Sequence, residues 1–146
     1  MAGVSHAALM ATVKRAPSTW TFTTSGAGFA GSLTPSQANM SDNNASTGWA
    51  TASGAGGWIQ ADLGEIRFVT TVNVRDCNNT FGGFDATYTN GCSLQISHDG
   101  SNWTTVATLS GHTGGNDVTY SINSTARYVR VFRTGNYAAA SEFKFS

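Results

Sequence analysis

Charge is scarce in this chain. Of 146 residues, eight are Lys or Arg and eight are Asp or Glu, and they cancel to a net charge of zero. Nucleic-acid binding needs a basic stripe to neutralise phosphates, so that class of partner is excluded. A polybasic patch for anionic lipid is missing for the same reason, and a membrane partner is not expected. Cysteine, proline and glutamate each occur only twice, and histidine three times. Two cysteines are too few for a disulfide scaffold, and Cys77 and Cys92 have neither the spacing nor the partners of a zinc site. His6, His98 and His112 show no triad or metal spacing, and Glu65 and Glu142 have no context as a catalytic pair, so no enzyme is expected. No apolar run approaches the roughly 20 residues of a membrane-spanning helix. Met1 to Met10 is mildly apolar, but Lys14 and Arg15 follow that stretch instead of preceding it, so it does not read as a secretory signal.

What fills the chain is Gly, Ser, Thr and Asn, together 64 residues. Such a composition is poor in helix formers and rich in turn and β-branched residues. With 40% hydrophobic and 11% aromatic residues there is enough apolar side chain for one folded domain. Residues 1–17 stand apart as an N-terminal arm or docking segment, carrying two basic residues and no aromatic before Pro17. From Ser18 onward short alternating segments follow one another. They are Thr19–Thr23, Trp58–Leu63, Phe68–Arg75, Ser93–Ser97, Trp103–Thr108, Val118–Ile122, Arg127–Arg133 and Ser141–Ser146. Period-two alternation between turn signals predicts an all-β, antiparallel β-sandwich over 18–146. Asp99-Gly100 predicts a tight turn between two of these strands. The longest connection, Cys77 to Gly91, carries three aromatics among Gly and Asn, and long loops in small domains tend to hold function. Its flanking cysteines leave two readings open: a disulfide between Cys77 and Cys92 closing the loop, or two reduced buried thiols.

Three segments, in this order, resemble the discoidin family, also known as the coagulation-factor type C domain, which includes the family-32 carbohydrate-binding modules. They are Asp42-Asn-Asn-Ala-Ser-Thr-Gly-Trp49, Gly57-Trp-Ile-Gln-Ala-Asp-Leu-Gly64, and the series Ser97-His-Asp-Gly-Ser-Asn-Trp103, Ala126-Arg-Tyr-Val-Arg-Val131 and Glu142-Phe143. The resemblance implies a jelly-roll-like sandwich whose loops at one end bind ligands, most often glycans. Animal members usually join the two domain ends by a cysteine pair. Here both cysteines are internal, which turns the likeness toward bacterial or viral glycan binders.

Asp42, Asn44 and Thr47 offer a carboxylate, an amide oxygen and a hydroxyl in one polar loop, all of them oxygen donors that calcium accepts. The resemblance adds Glu142 as a fourth ligand and makes the calcium structural. The loop chemistry alone favours an Asx-type turn capped by Asp42. Trp49 and Trp58 have the residue type of a sugar-stacking platform but are expected in the core. Glycan contacts are expected from the loops: Arg75, Asp76, Asn78, Phe81, Phe84, His112, Asn136 and Tyr137. A ring takes the flat face of a sugar, while Arg, Asn and Asp meet vicinal hydroxyls. The leading expectation is a non-catalytic, lectin-like domain that attaches to surface glycans outside the cell or on a virion. The alternative is a virion structural or decoration protein, as on a phage, oligomeric or docked to a capsid or tail protein through the arm.

Overall fold

The computed structural model describes residues 14–15 and 20–146, the first two by their backbone alone. In chain order the strands are β1 (Lys14–Arg15), β2 (Thr21–Thr24), β3 (Trp49–Ala50), β4 (Gly56–Arg75), β5 (Ser93–Ser97), β6 (Thr104–Thr108), β7 (Asp117–Thr134), β8 (Ala139–Ala140) and β9 (Glu142–Phe145). A helix of four residues, α1 (Ala86–Thr89), lies between β4 and β5, capped by Asp85, whose side chain accepts from the Thr87 N–H. Among the described residues, no helix is long and apolar enough to cross a membrane.

Two long strands set the architecture. β4 and β7 pair antiparallel from Gly56 with Thr134 to Arg75 with Asp117, with register breaks between Asp62 and Arg67 and between Val69 and Thr71. At the first break the strand turns a corner. Gly64 there has φ 83°, which a side chain would strain, and its N–H donates to Asp62 Oδ1 at 2.8 Å. Arg127 closes the same corner with two hydrogen bonds to Asp62, at 3.0 and 3.2 Å. The four segments read separately from sequence, 58–63, 68–75, 118–122 and 127–133, are therefore two continuous bent strands. β2 pairs the first half of β4, and β9 pairs its last four residues. β5 joins the second half of β7, and β6 joins β5.

Alternation decides what each layer buries. Ile59, Ala61, Leu63, Val129, Val131, Leu94 and Ile96 come from one layer, and Val69, Val72, Val74 and Phe143 from the other. All of them meet in a single core cluster, so the antiparallel β-sandwich is as expected. Trp20 and Phe145 touch edge to face at 4.8 Å, bringing the start and the end of the domain together.

Two expectations are corrected here. Trp49 is fully buried, as predicted, but Trp58 is only half-buried and points to the outer face. It shares strand parity with Gln60 and Asp62, not with the core residues Ile59 and Ala61. Cys77 and Cys92 are free thiols, not a disulfide. Cys77 packs in a separate cluster with Ala50, Phe81, Phe84 and Ala139, while Cys92 sits in the main core and its Sγ donates to Tyr88 O. Burial pushes their thiols up to about 12 and about 11, so both stay protonated and inert. The arm expected over residues 1–17 lies outside the described residues, save for the backbone of Lys14–Arg15, which pairs parallel with Arg67 and Phe68 of β4.

Candidate functional site

Because β4 and β7 double back at the corner, their outer ends lie together, and the long connections gather there. Asp76 is the hub. It is fully buried, its Oδ2 accepts from Gly114 N–H at 2.7 Å, and its Oδ1 accepts from Gly115 and Asn116 N–H, both at 2.9 Å. The 110–116 loop is thus folded around one carboxylate that leads out of β4. Asn90 exchanges two hydrogen bonds with the His112 backbone, at 2.9 and 3.1 Å. Thr89 Oγ1 donates to Ala139 O at 2.6 Å, and Arg133 Nη1 donates to Thr87 O and Asn90 O at 2.9 and 3.1 Å. Asn78 ties the long loop to Ser46 and Ala45. The loops expected to share one end of the sandwich do so.

Five rings fill the space between them. Phe84 touches Phe29, Phe81, Tyr88 and Tyr137, with centroids 5.0 to 5.5 Å apart. Phe81 and Phe84 are buried, so they hold up the surface and do not form it. Phe29, Tyr88 and Tyr137 are half-buried and close the cluster toward solvent. Beside them Asn136 Oδ1 accepts from Tyr137 N–H at 2.8 Å, and Asn78 is exposed.

Of the eight expected ligand residues, only Asn78, Asn136 and Tyr137 therefore face solvent. Phe81, Phe84, Asp76 and His112 are interior. Arg75 is also corrected: it makes a two-pronged pair with Asp117 at 3.0 and 2.6 Å and lies 3.6 Å from Glu142, with 15% of its side chain exposed. Phe29 went unread in the sequence, although it is the one aromatic in the glycine-rich 25–31 loop. A groove of about 620 Å³ opens at the corner end, between β6 and the first half of β7, away from these rings.

His112 is enclosed, with Nε2 3.1 Å from Tyr120 Oη and Nδ1 3.5 Å from Asp76 Oδ1. Burial pulls its pKa below the usual histidine value, against the pull of Asp76. The unfolded chain takes up this proton near pH 6.5 and the folded one only at lower pH, so stability falls as pH drops below about 6.5. Denaturant midpoints measured from pH 7.5 to 5 are expected to decline, and His112→Gln is expected to flatten part of that slope.

The 40–49 loop comes against β9: Phe143 N–H donates to Met40 O at 3.0 Å. Asp42 Oδ1 accepts from Asn44 N–H, and Asn44 Oδ1 from Ser46 N–H, two successive Asx turns. Thr47 Oγ1 lies 3.4 Å from Asn44 O. Glu142 is fully buried, and neither of its carboxylate oxygens accepts a hydrogen bond. Among the described residues it is balanced by ion-pair contacts, Arg75 on Oε1 and Lys144 on Oε2. Among the described residues, no three His, Cys, Asp or Glu side chains cluster as metal ligands.

The family model described as "NedA-like, galactose-binding domain", of the F5/F8 type C group, matches residues 39–131. No curated protein matches the chain. Among solved structures, the CBM32 of AlyQ in complex with 4,5-unsaturated mannuronic acid is 26% identical, with 86% of this chain and 93% of that one covered and a TM-score of 0.64. A CBM32 from Clostridium perfringens, in complex with GalNAc-β-1,3-galactose, is 17% identical, with 86% and 94% covered and a TM-score of 0.66. A fucolectin from striped bass (Morone saxatilis) serum is 20% identical, with 90% and 48% covered and a TM-score of 0.69. At those two identities the likeness is one of fold. With more than half of its length matched, the chain belongs to the F5/F8 type C family of galactose-binding, discoidin-like domains.

Proposed function

We propose that the chain is a non-catalytic, extracellular carbohydrate-binding domain whose glycan lies on the loop end against Tyr137 and Tyr88. The observation that carries this is the cluster of rings at the meeting of the loops, where Tyr137, Tyr88 and Phe29 close a rigid interior of Phe81 and Phe84. Half-buried tyrosines present a flat apolar face with a polar tip, and Asn136 and Asn78 stand beside them to meet hydroxyls. The complexes of the AlyQ and Clostridium perfringens modules with an unsaturated uronic acid and a neutral disaccharide support the ligand class. One shallow site binds weakly, and many copies raise the avidity. A glycan array followed by calorimetry on the best hit tests the reading. Tyr137→Ala is expected to weaken binding about tenfold, the loss of roughly 1.4 kcal/mol of ring contact. Failure to retain any glycan, or equal binding by the variant, overturns it.

We propose further that the 40–49 loop, with Glu142, holds a structural calcium ion. The supporting observation is Glu142, a buried carboxylate met by the Arg75 and Lys144 cations with no further hydrogen bond among the described residues, set one residue from the strand contact with Met40. Glu142, Asp42, Asn44 and Thr47 would hold the ion, with backbone carbonyls completing the six to eight oxygens calcium requires. The ion would neutralise two carboxylates and fix the loop. At calcium a hundredfold above its dissociation constant, stability is expected to rise by about 2.7 kcal/mol, visible as a Tm increase of roughly 5–10 °C. Asp42→Ala and Glu142→Gln are expected to abolish the rise. Identical melting in calcium and in chelator reduces the loop to its Asx turns.

A further inference from the structure

The outer face of the layer that holds the first half of β4, the second half of β7 and β5 carries an unneutralised cation. Arg130 projects there from β7, opposite Gln60 on one side and Gln95 on the other. Its guanidinium carbon lies 3.8 Å from the Trp103 ring centroid and 4.6 Å from that of Phe132. Nε donates to Gln95 Oε1 at 2.7 Å, and Gln95 Nε2 donates in turn to Thr105 Oγ1 at 3.0 Å. Two rings and a glutamine thus fix the plane of the fork.

The charge itself is left unmatched. Among the described residues, carboxylates pair with Arg67, Arg75, Arg127 and Lys144, while backbone carbonyls hold Arg133. Among the described residues no carboxylate meets Arg130, and its hydrogen bond there is the one from Nε, with none from the η nitrogens. Partial burial lowers its pKa, as for a cation that has lost water without gaining a counter-charge. Next to it stands Trp58, directly opposite Phe132 in the register and so diagonal to Arg130, roughly 7–8 Å away along the sheet. Trp58 is half-buried. A flat aromatic face beside an oriented, unpaired fork matches a sugar ring bearing a carboxylate, since Arg pairs two-pronged with planar anions.

We propose that this sheet face is a second glycan site, selective for a carboxylated sugar whose ring lies on Trp58 and whose carboxylate pairs with the Arg130 η nitrogens. It is separate from the loop end, so either site can fail alone. The test titrates the full chain at low salt with trigalacturonate, trimannuronate and sialyllactose, and with the methyl ester of each, following the Trp58 and Trp103 indole N–H resonances by NMR, with Trp103 as the reporter in the Trp58 variant. At least one acid is expected to shift these resonances, and its ester to bind at least tenfold more weakly. Arg130→Lys, which keeps charge but loses the fork, is expected to weaken the acid at least fivefold, and Trp58→Ala to a similar degree. Tyr137→Ala is expected to leave this binding unchanged. Melting curves of each variant separate lost binding from lost fold. The proposal is overturned if none of the three acids binds, if acid and ester bind alike, if folded Arg130→Lys and Trp58→Ala both bind like wild type, or if hexaglutamate shifts the resonances equally.

Discussion

Replacing Asp76 by alanine is expected to destabilise the fold by about 3–5 kcal/mol, the range for removing one member of a buried charged set. Three backbone N–H groups, of Gly114, Gly115 and Asn116, lose their acceptor together. A buried donor left without a partner forfeits the full desolvation of that group, roughly 1–3 kcal/mol. Some of the three regain water as the 110–116 loop opens, which keeps the sum below three times that figure. Asp76→Asn retains one acceptor oxygen and is expected to recover part of the loss. Urea denaturation, with the midpoint lowered and the slope unchanged, is the measurement. A loss under about 1 kcal/mol for the alanine variant would show that the loop holds itself without the carboxylate. Because the same loop carries His112, whose backbone is tied to Asn90 of the long loop, the variant should also lose loop-end glycan binding while still folded in the cold.

Arg75→Ala is expected to lower stability by about 2–3 kcal/mol and to leave glycan retention by the folded protein unchanged. Arg75 stands between Asp117 and Glu142. Its removal leaves Glu142, fully buried, with Lys144 as its remaining cation. Breaking a fully buried pair loses 3–5 kcal/mol, but Asp117 is 38% exposed and water screens that half of the network. The hydrogen bond from Arg75 holds the Asp117 carboxyl below the usual range. That part of the stabilisation is complete above pH 3.8 and is lost as pH falls through the lowered value, so wild type and variant should converge in acid. The readout is the Tm difference between the two proteins at pH 7 and at pH 3. An unchanged Tm at pH 7 together with lost glycan binding would return Arg75 to the ligand site.

The strands were readable because one face of each is buried. In Trp58 to Leu63 the alternation of Ile59, Ala61 and Leu63 marks the inner face. The same parity puts Trp58 outside, so that correction was available from the sequence: residue type prevailed there over position. The loop rings were not readable in this way. Nothing periodic in Thr80-Phe81-Gly82-Gly83-Phe84 says which way a ring turns. The small residues that make room for Phe81 and Phe84, Ala50, Cys77 and Ala139, come from distant parts of the chain. Asp76 looked like a sugar contact because its partners are backbone N–H groups 38 to 40 residues later, which carry no side-chain signal. Glu142 was expected beside the 40–49 loop from motif order; its neighbour Phe143 donates to Met40 O, and Glu142 itself meets Arg75 and Lys144.

The corner shared by β4 and β7 also governs how the chain must fold. Their first possible contact, Arg75 with Asp117, closes a gap of 42 residues, and every further pair along the ladder closes a larger one. Each closure is entropically uphill before neighbouring pairs reward it, so most of the ladder has to assemble in a concerted step. Since both strands run through both layers, the register chosen in one layer is imposed on the other across the corner. Neither layer can act as an independent nucleus, and a half-domain cut at Gly64 would leave two sets of unpaired edges. Refolding should accordingly fall on the slow, millisecond-to-second side of small domains, with the rate set by chain topology.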